Sequence, residues 1–347
     1  MRKALLLLVM TISFSSILAQ KNSFWNKVSL EKTGENNQRL ILDNKNLYKL
    51  NNDEFVKSLL KTNKKFSDLP GTIVGFPNKN GEIENFSVWE NSNFAPNLQE
   101  KYPDIKSFTG TSLSEKGTTI HFSISPIGVK TMVLRADNSS EFIEPLAKNS
   151  SVYVSYNTTS RKSKTSNFNC KTTDKVLSQD ALNKIQLTNR ASNKTFKTLR
   201  LALSCTGEYS VYFGGASQAL AAMNATMTRV NALFEMDFNS TMVIVANNNN
   251  VIYLNAATDP YGATDANYNT EVQAAITAQI GAANYDIGHL MSAIGNNGNA
   301  GCIGCICGTA TQPWTSLGSG KGSGFTTSTN PIGDTFDVDY VAHEIGH

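Results

Sequence analysis

The sequence predicts two units in series, an antiparallel β-rich unit over about residues 20–193 and an α/β unit over 194–347. Three observations predict this. Apolar residues alternate with polar ones in short runs between about 72 and 156, the period of half-buried strands. From about Lys194 onward, strand-like runs are interleaved with segments of helical period, which reads as α/β. Between them, 157–193 is rich in Ser, Thr, Asn and Lys and reads as a linker. The 347 residues leave room for roughly two domains.

Residues 1–19 read as a secretory signal peptide. Arg2 and Lys3 form a basic start, Ala4 to Met10 with Ile12 and Phe14 an apolar stretch, and Ala19 a small residue before Gln20. A membrane anchor is the alternative, but Thr11, Ser13, Ser15 and Ser16 interrupt the run. No later stretch approaches the roughly 18 apolar residues of a spanning helix. The chain is therefore expected to be secreted and extracellular, with no membrane span. Its 31 Lys+Arg and 28 Asp+Glu give a formal charge of +3, which offers no argument for a nucleic-acid partner or an anionic membrane surface.

In the first unit, Glu54 to Lys61 carries a short helical pattern through Phe55, Val56, Leu59 and Leu60. Thr72 to Phe76 and Glu84 to Glu90 flank a turn at Asn78-Lys-Asn-Gly81, which suggests a hairpin. Ile120, Phe122 and Ile124 alternate with His121 and Ser123, which places His121 on the solvent face of a strand. Val129 to Leu134 reads as the return strand, and Phe142-Ile143 and Val152 to Tyr156 add more. The linker holds one short helical pattern near Asp180 to Leu187, and Arg190 suits a processing cut there.

In the second unit, Phe196 to Leu203 reads as a strand and Ser217 to Phe234 as a helix, with Leu220, Met223, Met227, Val230 and Phe234 at helical spacing. Strands follow at Ser240 to Ala246, Val251 to Leu254 and Tyr285 to Met291, with a helix at Thr270 to Ile280. A Gly- and Asn-rich run, Gly295 to Gly304, and a long loop of small residues, Thr309 to Pro331, precede a final helix.

That helix carries His343-Glu344-Ile-Gly-His347. Its two imidazoles stand at i and i+4, one turn apart on one face, where they suit one Zn²⁺. Glu344 stands beside the first as a general base for a zinc-bound water. Val338, Val341, Ala342 and Ile345 form an apolar face, and Asp334, Thr335 and Asp337 are cap candidates at its start. The bland alternative is two surface histidines beside a glutamate. Only four histidines occur, however, and two fall here in register. A catalytic zinc takes three protein ligands. His289 is a third candidate, but it sits mid-strand, and the third ligand is expected past His347.

At this point the sequence resembles a metzincin zinc metallopeptidase, most similar to the reprolysin-like secreted bacterial group. The resemblance rests on His343 to His347 with Gly346 before the second histidine, on the lead-in Asn330 to Ala342, and on Leu201 to Tyr209 and Ala283 to His289. It covers about 195–347 and, more loosely, a propeptide before it. It implies a zincin-like α/β catalytic domain, of which this is the N-terminal part, preceded by a β-rich propeptide. It also implies that His343 and His347 ligate Zn²⁺ and that Glu344 takes the water proton and passes it to the leaving amine. Family members bind substrate as an extended strand along the sheet edge above the zinc; here that edge would be about Asn299 to Gly304, which otherwise reads as a flexible loop. The rest of the family's histidine signature and its Met-turn lie outside this sequence, so the chain as given is expected to be inactive.

Five cysteines occur. Cys302-x-x-Cys305-x-Cys307 suits either a metal or, in an oxidising compartment, disulfides, with Cys205 a plausible partner. Cys170 stands alone in the expected propeptide. Propeptides of related metzincins use a cysteine as the fourth zinc ligand to hold the zymogen inactive, although Asn167-Phe-Asn-Cys170 departs from their usual switch sequence. The expectation is a secreted zinc endopeptidase made as a zymogen and acting on proteins or peptides. The alternatives are a non-enzymatic secreted binding or adhesion protein on a degenerate zincin fold, and a zinc hydrolase of non-peptide substrates.

Overall fold

The computed structural model describes residues 24–29, 46–160, 168–173, 195–307 and 320–347. The expected signal peptide, the helix near Asp180, Arg190 and 309–319 of the loop before the final helix lie outside the described residues; the rest of that expected loop contains a buried strand, Gly324–Ser328.

The N-terminal unit is one sheet of nine strands: β1 (Trp25–Val28), β2 (Asn46–Leu50), β3 (Thr72–Pro77), β4 (Ile83–Glu90), β5 (Lys106–Ser112), β6 (Thr119–Ser125), β7 (Gly128–Leu134), β8 (Ser140–Pro145) and β9 (Val152–Asn157). Their order is β1-β2-β9-β8-β7-β6-β5-β4-β3, and every neighbouring pair is antiparallel. The β3–β4 turn closes where Asn78 accepts from the backbone N–H groups of Asn80 and Glu82 and Gly81 takes φ 83°. Helix α1 (Asn52–Leu59) seals one face with Phe55 and Leu59, against an aromatic cluster of Trp25, Phe76, Phe108 and Phe122.

The second unit is a six-stranded sheet in the order β10-β14-β15-β13-β11-β12. Its strands are β10 (Asn169–Cys170), β11 (Lys197–Cys205), β12 (Ser240–Ile244), β13 (Ile287–Ser292), β14 (Asn296–Asn299) and β15 (Gly324–Ser328). β12, β11, β13 and β15 run parallel, whereas β14 is antiparallel to β15. Along β11, Leu201, Leu203 and Cys205 join one core cluster and Ala202 joins the other, as a strand buried on both faces requires. The helix expected at 217–234 runs over Ala216–Asp237, and the one expected at 270–280 over Tyr268–Gln279. They cover opposite faces of the sheet. The expected third strand at Val251 is a 3₁₀ turn (Asn248–Val251) followed by a single bridge from Ile252 to Cys205.

The long helix Ala216–Asp237 is the seam between the units. Sequence periodicity marks one apolar stripe, but the helix is buried nearly all round, including Asn224, Thr226, Thr228, Arg229 and Asn231. Its second face lies under the N-terminal sheet, where Ala232 packs with Met132, Phe142 and Val154. This also corrects the expectation for His121. It is 7 % exposed, because what covers its strand face is the helix and not water. Burial pushes its pKa down to about 4.

The N-terminal chain also extends the second sheet. Ala95 N–H donates to Ile244 O (2.8 Å) and Ile244 N–H to Asn93 O (2.7 Å), which pairs this segment with β12. The buried Asn93 side chain donates to Asn224 and Thr228 and accepts from Asn231, all on the long helix.

Candidate metal centre

The final helix is π-helical over Thr335–Ala342 and α-helical over His343–Gly346. Wide turns of this kind recur at functional sites. Phe336, Tyr340, Val341 and Ile345 anchor it in the core shared with the long helix. Asp337, weighed above as a cap, is instead 1 % exposed. It accepts from Thr226 (2.6 Å) and from Arg229 Nη1 (2.8 Å). The same guanidinium nitrogen is 2.7 Å from Glu144 of β8, Nη2 donates to Thr131 O, and the group lies over the Phe142 ring. Burial pushes the Asp337 carboxyl up and Arg229 offsets it, whereas Glu144 is held low because Arg229, Lys130 and Tyr156 outweigh its burial.

The structure brings the four singled-out residues together. One candidate ligand atom from each of Cys170, His343, Glu344 and His347 lies within 4.8 Å of the others. The two imidazoles stand edge to face with their Nε2 atoms 3.2 Å apart, and Cys170 Sγ is 3.4 Å from His347 Nε2. His289 is not in this cluster: its Nε2 is 2.8 Å from Thr326 Oγ1, and burial pushes its pKa to about 3.

Cys170 arrives on β10, which pairs parallel with β14, Asn169 opposite Asn297 and Cys170 opposite Gly298. Lys171 N–H donates to Gly298 O (2.7 Å), and Thr172 Oγ1 accepts from Ala300 N–H (2.8 Å). The edge strand is thus Asn296–Asn299, and the expected edge at 299–304 is mostly the turn that follows it. Alternation along this segment is complete. Phe168, Cys170 and Thr172 face the histidine helix, while Lys171 points the other way to Asp265 (2.7 Å). Phe168 stacks on Tyr340 at 4.0 Å and stands edge-on to His343.

Glu344 is 2 % exposed. Its Oε2 accepts from the Thr172 hydroxyl (3.0 Å), and its Oε1 has no hydrogen-bond partner. Burial raises its pKa, partly offset by Thr172, Cys170 and the two histidines. It lies directly beneath Gly298, where a Cβ would collide with its carboxyl group. The composition of this centre, two imidazoles and a thiol around a buried carboxylate with an unsatisfied oxygen, suits a thiophilic divalent cation such as zinc.

Residues 195–347, somewhat under half of the chain, match the family model described as metallo-peptidase family M12B, reprolysin-like. Over this segment the chain is similar to the reprolysin-like metallopeptidases. No curated protein matches the chain. In the reprolysin-like segment Cys302 and Cys305 are disulfide-bonded, whereas Cys205, weighed above as a partner, is a buried free thiol 3.3 Å from Ser210 Oγ. Gly304 N–H donates to His347 O, which ties the disulfide loop to the histidine helix. Sequence reasoning missed Thr172, Gly298, Asp265 and Tyr340. Only Gly298 carried a local signal, as a glycine in the run before the motif.

Proposed function

We propose that the gene product is a secreted zinc endopeptidase made as a zymogen, with residues 20–193 as its propeptide and 194–347 as the N-terminal part of a zincin-type catalytic domain. The single observation that carries this reading is Cys170 Sγ beside His347 Nε2 on a strand paired with the sheet edge. In this arrangement a thiol, and not a backbone carbonyl, meets the two histidines, so the bound segment offers nothing to cut.

Zinc would be held by His343 and His347, by Cys170 in the latent form, and by a third ligand expected beyond His347. When bound it supplies Lewis acidity to the cleft. Glu344, buried and poised against Gly298, takes a proton from the attacking water and delivers it to the leaving amine. Thr172 holds that carboxylate in the latent form and leaves with the propeptide strand. β14 then offers its backbone groups to an extended peptide.

The test uses the full-length gene product, its Glu344→Ala variant and its Cys170→Ala variant, with bound zinc and casein cleavage measured before and after the segment 174–194 is cut. The expected outcome is zinc in all three. Cleavage is expected from the wild type only after cutting, from Cys170→Ala before it, and from Glu344→Ala never. Stoichiometric zinc with no cleavage after cutting would overturn the peptidase reading in favour of a binding protein.

A further inference from the structure

Asp265 opens the 3₁₀ turn Asp265–Asn267 that leads into the helix Tyr268–Gln279. The reprolysin-like segment itself holds Asp265 in place. Asn297 of β14 donates to its Oδ2 at 2.8 Å, and Asn269, four residues on, donates to Asn299 O and Ser323 O. Among the described residues its ion pair is with Lys171 of the β10 segment (2.7 Å), and no cation of 195–347 pairs with it. Its side chain is 15 % exposed with Lys171 in place. Once that segment leaves, Asp265 keeps one neutral amide and a carboxylate at the rim of the cleft, short of its cation.

We propose that Asp265, positioned by Asn297, is a specificity-determining residue that selects substrate peptides carrying a lysine or arginine beside the scissile bond. The inference rests on the proposed peptidase function and adds the substrate class. The bound β10 segment serves as its template. A peptide on β14 pairs with the same backbone groups in either chain direction, and every second side chain turns away from the histidine helix. The side chain that takes the place of Lys171, level with Asn299 on that outer side, meets Asp265. An aspartate so placed attracts a cation and repels an acid, for a discrimination of about tenfold at a partly screened site.

The experiment uses the processed full-length enzyme and fluorogenic peptides with Lys, Ala or Glu at each of three positions on either side of the scissile bond. The reading is the ratio of kcat/KM for the Lys peptide to that for the Glu peptide. At one position the ratio should be about ten or more, collapse toward one in Asp265→Asn, and invert in Asp265→Lys. A second readout needs no turnover: a synthetic peptide spanning residues 167–173 should bind about tenfold more weakly when its Lys171 is Glu, and Asp265→Lys should reverse that order. Because both readings also vary the peptide on the unchanged enzyme, poor folding of a variant does not remove the test. Zinc-dependent cleavage of the Ala peptides with no Lys preference anywhere, or a preference that survives both variants, overturns the subsite alone. No zinc-dependent cleavage of any peptide overturns the proposed function, and the subsite with it.

Discussion

Gly298 is the position where one added carbon should have the largest effect on chemistry and the least on metal binding. An alanine Cβ there would stand 2.5 Å from Glu344 Cγ and 2.6 Å from Cδ. Ordinary carbon–carbon contact is about 3.5–4.0 Å, so the carboxylate must retreat by roughly 1 Å. A misplacement of about 1 Å at a reacting group costs on the order of 10²-fold in rate, and the crowding itself costs about 1–3 kcal/mol of stability. The three atoms nearest the new methyl group all belong to Glu344 and none to a histidine. Processed Gly298→Ala enzyme should therefore keep its zinc, unfold at slightly lower denaturant concentration, and lose about 10²-fold in kcat/KM on a neutral fluorogenic peptide. A folded, zinc-loaded variant with wild-type kcat/KM would refute the argument that Glu344 is held at its working position by the absence of a side chain at 298.

Two further predictions concern the seam between the units. Arg229→Met strands Glu144 and Asp337 in a buried site without their shared cation, so the uncut protein should lose about 3–5 kcal/mol in urea unfolding; adding Glu144→Gln and Asp337→Asn should restore part of it, and an unchanged midpoint in the single variant would show that the cluster carries no such weight. His121 is held neutral by burial with its pKa near 4, below the roughly 6.5 of an unfolded chain. Below about pH 6.5 the unfolded state therefore binds the extra proton first, and stability falls as pH drops toward 4, by up to roughly 3 kcal/mol. His121→Asn should flatten the pH dependence of the unfolding midpoint over that window, and a slope equal to the wild type's would contradict the assignment.

His343, Glu344 and His347 were legible because the chemistry is local: a spacing of four on a helix sets two imidazoles on one face whatever surrounds them. The long helix was legible as a helix for the same reason, but only one of its faces could be read. Thr226, Arg229 and Asn231 look like a solvated side until Asp337, Glu144 and Asn93 are brought to them from far along the chain. His121 failed in the same way, since alternation assigns a strand face without saying what covers it. Asn296–Asn299 is poor strand sequence and reads as a loop. It becomes a strand because β15 pairs with one side and β10 with the other, while Gly298 leaves room for the carboxylate beneath. The position of Cys170 was beyond local reading altogether, since 177 residues separate it from His347.

The N-terminal chain occupies both edges of the second sheet, with Asn93–Ala95 on β12 and β10 on β14. Open edges are templates for unwanted pairing, and this arrangement covers both. The surface it covers on the long helix is unusual for a core: Asn224, Thr228, Arg229 and Asn231 each hydrogen-bond to it. Water could take over those bonds in the proposed processed form, and Asp337 would keep Arg229 there without Glu144. The seam thus mixes such groups with apolar contacts, and in its polar part it resembles the contacts of separable domains. The proposed zymogen needs a cover that excludes peptide from β14 yet departs without unravelling what it covered. A seam of mixed polar and apolar contacts along one helix, joined to a thiol-bearing strand across the cleft, is what the residues present would offer as such a cover.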